Sequence, residues 1–268
     1  MPAAPEGFIS VSGKERVTAT AVVFDVQRPG GGASLVCKRL GSRAIGEAWV
    51  RARLVAEGEL LRGLGGRGTP RLVAAGQDED GPWMVMERVE GRPLAESLGA
   101  ATATPDWVAN VARSVFATLE ILHARGIVHA DLNPDNVLVS RDGREATILD
   151  FGLALWPGAP AMPPGPFRGT PAYTAPEVAR GEPFDARADL FGLAATLLHV
   201  ASGQSPRPQE MEAAVLLAAG EQDVQAWAER ASGGLARAVA GPLVRCCAFA
   251  PDERPASARE VCAALQGP

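Results

Sequence analysis

The stretch from His129 to Glu177 constrains this chain more than any other part of it. It reads His129-Ala130-Asp131-Leu132-Asn133-Pro134-Asp135-Asn136, then Asp150-Phe151-Gly152, then Gly169-Thr170-Pro171-Ala172-Tyr173-Thr174-Ala175-Pro176-Glu177. Short apolar runs such as Val137-Leu138-Val139 separate these polar segments and read as strands. Loops at the ends of such strands bring Asp131, Asn136 and Asp150 together beside a small sheet. The window asks for a fold that gathers carboxylates and an amide around a metal and a phosphate.

The rest of the composition narrows the class. A chain of 268 residues is long enough for one large domain or two small lobes with a sizeable core. The formal net charge of -5 argues against a nucleic-acid partner. Cys37, Cys246, Cys247 and Cys262 form no C-x-x-C pair and have no His cluster beside them, so they read as reduced, buried thiols rather than zinc ligands. That usage points to a cytosolic setting. No apolar run approaches the ~20 residues of a membrane span. Met1–Gly7 has no basic region followed by an apolar stretch, so a soluble, cytoplasmic chain is expected.

Along the chain, residues 8–40 read as β structure. Val17, Ala19, Ala21 and Val23 alternate as in one strand, and Ser34–Lys38 form a second, with a turn at Arg28-Pro29-Gly30-Gly31-Gly32. Helix formers dominate from Ile45 to Leu64, and the Gly63–Gly68 cluster stops them. Arg71–Ala75 and Trp83–Val89 read as strands on either side of an acidic turn, Gln77–Pro82. Helical pattern takes over after Glu90-Gly91-Arg92-Pro93. A helix starts at Pro105 and runs to about His123, and others are expected at 187–201, 208–219, 233–249 and 256–265. Trp156–Pro166, with five prolines, reads as a loop. A β-rich first third and a helical remainder make an α+β chain.

The motifs of the central window, in this order and spacing, resemble the signature set of the protein kinase family. The likeness is nearest to the catalytic domain of bacterial, eukaryotic-like Ser/Thr protein kinases. It covers residues 8–265 and implies a bilobal fold, with a small β-rich N-lobe at about 8–89, a hinge at about 87–93 and a helical C-lobe at about 93–265. It also implies transfer of the γ-phosphate of ATP, with Mg²⁺, to Ser or Thr hydroxyls of a protein.

Carried over position by position, the resemblance gives each residue a role. Lys38 is the strand lysine that contacts the α- and β-phosphates. Its helix partner is Glu57 by spacing, with Glu59 as the alternative, and Leu61 faces the interior. Met86 controls the back of the nucleotide pocket, the backbone of Glu87 and Val89 meets adenine, and Val23, Val36 and Leu138 cover its faces. Asp131 orients or deprotonates the acceptor hydroxyl, and Asn136 and Asp150 hold magnesium. His129 is structural and packs on Phe151. Thr170 belongs to the segment that docks a peptide, Glu177 pairs with Arg254, and Asp189 holds the backbone of the catalytic loop.

Four departures from the family pattern set the limits. The phosphate-covering loop should carry several glycines, but Ser12–Ala21 has only Gly13. The backbone therefore cannot approach phosphate as closely, although a hairpin of Thr and Ala could still cover ATP. Ala130 stands where many relatives have an arginine that receives an activating phosphate. Leu153–Gly169 holds no Ser, Thr or Tyr, so activation-loop phosphorylation is not expected to be the switch. Asn133 replaces the lysine that neutralises the transferring phosphoryl group, and an amide brings no charge. Alternatives to the Ser/Thr kinase reading are a pseudokinase or nucleotide-binding scaffold, favoured by the glycine-poor loop, and a small-molecule (sugar) kinase, favoured by Asn133.

Overall fold

The structure, a computed structural model, describes residues 3–11, 15–18, 20–41, 44, 46–163, 168–207 and 222–266. The chain divides into two compact units, Met1–Val89 with Gly158–Gly165, and Glu90–Pro157 with Pro166–Pro268.

The first unit is built on an antiparallel sheet. Its strands are β1 (Ile9–Ser10), β2 (Arg16–Val17), β3 (Ala21–Gln27), β4 (Leu35–Leu40), β5 (Leu72–Asp78) and β6 (Gly81–Glu87). They are ordered β1-β3-β4-β6-β5, with β2 also paired to β3. Alternation decides the faces. Phe24, Val26, Leu35, Cys37 and Val85 pack together as an apolar cluster. The residues between them, Val23, Val36, Lys38, Met84 and Met86, share the other face, because Val23 lies opposite Lys38, Lys38 opposite Met84, and Val36 opposite Met86. Helix α1 (Ala48–Leu64) buries Val50, Leu54 and Leu61 and ends at Gly65, whose φ of 64° suits a left-handed cap.

Two expectations for this unit are corrected. Val17–Val23 is not one strand. It is the end of β2 and the start of β3, with Arg16 opposite Val23 and Val17 opposite Val22. Thr18 makes the reversal: its Oγ1 donates to the Ala21 carbonyl and accepts from the Ala21 N–H, both at 3.0 Å. A threonine bonding nearby backbone offers the chain a turn that periodicity alone does not reveal. The acidic turn is also tighter than Gln77–Pro82, since β5 and β6 pair through Asp78 opposite Gly81.

The second unit holds a small sheet in the order β7 (Arg92–Pro93), β8 (Val137–Val139), β9 (Ala146–Ile148) and a set of helices. Helix α2 (Pro105–His123) starts as expected, with Pro105 in its first turn and the Thr104 side chain accepting from Trp107 N–H. Short α3 (Pro176–Ala179) precedes α4 (Arg187–Ser202), whose residues from Ala188 to Val200 are all buried. A helix apolar all round belongs at the centre of its unit, with neighbours on every side. Those neighbours include α2, α5 (Gln222–Ala231) and α6 (Arg237–Cys246), while α7 (Ala258–Gln266) packs on α2 and α6.

The expected 233–249 helix is shorter, because Gly233 lies in a turn and the helix starts only at Arg237. Helix α5 was not anticipated, although buried Val224, Trp227, Ala228 and Ala231 repeat at helical spacing. The expected 208–219 helix lies outside the described residues. No helix among the described residues is long and apolar enough to cross a membrane.

One glycine is required where the second unit begins. Gly91 has φ of 135°, and a Cβ there would sit 2.7 Å from the Val139 carbonyl oxygen. Neither backbone can yield easily, so Gly91→Ala should destabilise this unit by roughly 2–4 kcal/mol. Urea unfolding checks this; an unchanged midpoint would show that the β7–β8 contact adapts.

Candidate active site

In the first unit, Lys38 extends from β4 and its Nζ meets both carboxylate oxygens of Glu57 on α1, at 2.8 and 2.9 Å. Both side chains are buried. This settles the choice between the two glutamates geometrically, since Glu59 points to solvent on the same helix. Leu61, one turn on, is 1% exposed and anchors this face of α1 to the core. Arg53, one turn before Glu57, is also buried, and its Nη1 donates to the Pro160 carbonyl at 3.1 Å. The proline-rich segment is thereby tied to the helix that carries Glu57. Val23, Val36 and Met86 lie on the Lys38 face of the sheet. Glu87 N–H is bonded to the Arg71 carbonyl at 3.0 Å, and the Glu87 side chain pairs with Arg71.

In the second unit the segment from His129 onward hangs from one buried carboxylate. Asp189, on α4, accepts from the backbone N–H of His129 at 2.7 Å and of Ala130 at 2.8 Å, with His123 Nε2 at 2.9 Å. These bonds hold Ala130 at φ of 65°, a left-handed conformation unusual for a residue with a Cβ. His129 packs edge-on against Phe151, ring centroids 5.1 Å apart, and its Nε2 lies 2.8 Å from the Leu149 carbonyl.

Asp131 follows directly. Its Oδ1 accepts from Thr170 N–H at 2.9 Å and its Oδ2 from Asn136 Nδ2 at 3.2 Å. Burial raises the Asp131 carboxyl above the usual aspartate range, against the lowering effect of His129 and of its hydrogen bonds. Asn133 is buried and uses its amide as a tie. Its Nδ2 donates to the Asp131 carbonyl at 3.1 Å and to Thr170 Oγ1 at 2.9 Å, and its Oδ1 accepts from Asp135 N–H. Both amide protons are therefore committed within the protein.

Strand register sets Asn136 against the start of the Asp150 turn. Val137 lies opposite Ile148, and Leu149 N–H donates to the Asn136 carbonyl at 2.8 Å. Asp150 adopts φ of 59°, and its Oδ1 accepts from Gly152 N–H at 3.2 Å. The Asn136 amide nitrogen faces Asp131, which leaves its Oδ1 as the atom available to a cation. An amide oxygen and a carboxylate are the kind of donors that fit a hard divalent ion. Leu138, between these residues on β8, is opposite Thr147 and Pro93.

The segment after Gly169 is held from several sides. Thr170 is bonded to Asp131 and Asn133, and Tyr173 Oη lies 2.8 Å from His199 Nδ1. Burial lowers the His199 pKa, so the imidazole is favoured neutral, and the same burial raises that of Tyr173. Arg207 Nη1 reaches the carbonyls of Pro171, Ala172 and Thr174. Below it, Arg254 and Glu177 form a bidentate pair at 2.7 and 2.8 Å, with both side chains buried. Arg53, His199 and Arg207 were not singled out from sequence. Arg53 could have been, since it sits four residues before Glu57 on one helix face. Arg207 lies in Gln204-Ser205-Pro206-Arg207, where nothing local marks it.

With the geometry in place, comparison with known proteins is direct. The family model described as "Protein kinase domain" matches residues 19–264. The serine/threonine-protein kinase PknJ of Mycobacterium tuberculosis is 37% identical over 177 residues, covering 63% of this chain and 30% of PknJ. Serine/threonine-protein kinase Pkn1 of Myxococcus xanthus is 40% identical over 142 residues, covering 51% of this chain and 20% of Pkn1. The chain thus spans less than a third of these curated relatives. Among solved structures, the Mycobacterium tuberculosis PknI kinase domain superposes with a TM-score of 0.68 at 25% identity, over 97% of this chain and 95% of that one.

The Glu177–Arg254 pair allows a direct test of its structural weight. Removing one partner leaves an uncompensated buried charge, so Glu177→Ala should cost about 3–5 kcal/mol. The Glu177→Leu/Arg254→Met double variant should lose much less. Urea unfolding of the three proteins decides, and equal losses would refute the pairing argument.

Proposed function

Because the chain belongs to the protein kinase domain family, we propose that it is a Ser/Thr protein kinase that transfers the γ-phosphate of Mg-ATP to protein hydroxyls. We propose residues 8–265 as the catalytic domain. The observation that carries the reading is the joint placement of Asp131, Asn136 and Thr170 by one hydrogen-bonded network, with the backbone just before Asp150 bonded to Asn136 through Leu149 N–H.

In this reading Asn136 Oδ1 and Asp150 hold magnesium, which supplies charge neutralisation to the phosphates. Lys38, kept in place by Glu57, contacts the α- and β-phosphates. Val23, Val36 and Leu138 contact the adenine faces, Met86 controls the back of the pocket, and the backbone of Glu87 and Val89 reads the adenine edge. Asp131 accepts a hydrogen bond from the acceptor hydroxyl and aligns it, and its raised pKa favours taking the proton as the new P–O bond forms. Asn133 acts as a positioning residue here, since its amide ties Asp131 to Thr170. Transfer without a neutralising lysine at that position should be slow relative to enzymes that have one. The absence of hydroxyl side chains from Leu153 to Gly169, together with the Arg53–Pro160 tie, supports a kinase held ready without activation-loop phosphate. Its free cysteines suit a reducing, cytoplasmic setting.

Labelled γ-phosphate transfer to the protein itself and to a generic basic protein tests this. Wild type should incorporate label, while Asp131→Asn and Asp150→Asn should each fall by about 10²-fold or more. Absence of transfer by wild type, or full activity in either variant, would defeat the proposal. The pH profile gives a second reading. A carboxyl whose folded pKa is raised is protonated to a higher pH, so activity should fall on the acid side at a pH above the ordinary carboxylate range. An acid limb at or below that range would contradict the assignment of Asp131.

A further inference from the structure

Arg207 stands out as a buried cation with no carboxylate. It is 4% exposed, and among the described residues it forms no salt bridge. Its Nη1 donates to the carbonyls of Thr174 at 2.7 Å, Pro171 at 3.1 Å and Ala172 at 3.4 Å. Its guanidinium lies 5.5 Å from the centre of the Phe191 ring on α4. Among the described residues its Nε and Nη2, both buried, have no hydrogen-bond partner. Burial pulls its pKa down to about 10.

A buried charge with unmatched donors is a poor way to stabilise a fold. An apolar chain of similar length would avoid the unmatched donors but would leave the carbonyls of Pro171, Ala172 and Thr174 without theirs. What the guanidinium does supply is geometry, because one nitrogen gathers carbonyls from three residues of the 171–174 turn. That turn begins at Thr170, whose N–H is bonded to Asp131 Oδ1 and whose hydroxyl is bonded to Asn133. A fixed path therefore runs from Arg207 through the backbone of this segment to Asp131.

We propose that Arg207 is a positioning residue that clamps the Thr170–Thr174 backbone in the shape that presents an acceptor peptide to Asp131. The role rests on the protein kinase reading. It also gives that reading a physical means of keeping the docking segment ordered with no phosphate on the preceding residues. The ligand it serves is the peptide acceptor, and it touches neither nucleotide nor metal.

The full chain carrying Arg207→Met or Arg207→Lys tests the clamp. Amide hydrogen exchange at Ala172–Ala175 should speed up by about 10-fold or more in Arg207→Met, with the rest of the chain little changed. The KM for a generic basic protein acceptor should rise by about 10-fold while that for ATP stays within about twofold. The thermal midpoint should fall only slightly, since the carbonyls of Pro171, Ala172 and Thr174 lose one shared donor, and Arg207→Lys should recover part of the acceptor affinity. Unchanged exchange at Ala172–Ala175, or a large fall in the midpoint with both KM values moving together, would overturn the proposal. Should the wild type transfer phosphate to no protein, the kinase reading fails, and the exchange measurement alone still decides the clamp.

Discussion

The carboxylate of Asp189 is the interaction on which the site in the second unit depends. It is 1% exposed, lies on the most buried helix of the chain, and accepts from two consecutive backbone N–H groups. Charge-assisted bonds of this kind hold a conformation that the chain would otherwise avoid. Ala130, at φ of 65°, carries a strain of about 1–2 kcal/mol. With Ala130 turned this way, His129 and Asp131 leave the backbone in different directions. One packs on Phe151, and the other meets Asn136 and Thr170. The apolar packing of α4 fixes where Asp189 sits, and Asp189 fixes the loop.

The Leu153–Gly169 segment has no hydroxyl side chain, and a buried arginine grips a backbone carbonyl within it and another grips three just after it. Arg53 takes Pro160 in the first unit, and Arg207 takes Pro171, Ala172 and Thr174 in the second. Carbonyl oxygens are always present and need no enzyme to install them.

Much of this was legible in the sequence because it depends on spacing. Asn136 and Asp150 fall at the ends of strands whose pairing follows from two short apolar runs, and Glu57 follows from its distance along the chain from Lys38 in the family pattern. The start of α2 follows from Thr104 and Pro105, which act locally. What escaped depends on contacts between distant residues or on single side chains. The β2–β3 reversal hinges on one hydroxyl of Thr18, which alternation cannot register. The roles of Arg207 and His199 depend on which backbone comes to rest against them. The sequence pattern also presented Asn133 as a substitute for a charged catalytic residue, while its folded surroundings make it a tie between Asp131 and Thr170.

The central claim is that this site is assembled by the fold, without prior phosphorylation. The most direct measurement is the initial rate of transfer to a protein acceptor by phosphatase-treated enzyme, shown by intact mass to carry no phosphate, against the same enzyme after prolonged incubation with Mg-ATP. The account predicts equal rates from the first turnover. A lag that ends as phosphate accumulates on Thr170 or Thr174 would contradict it.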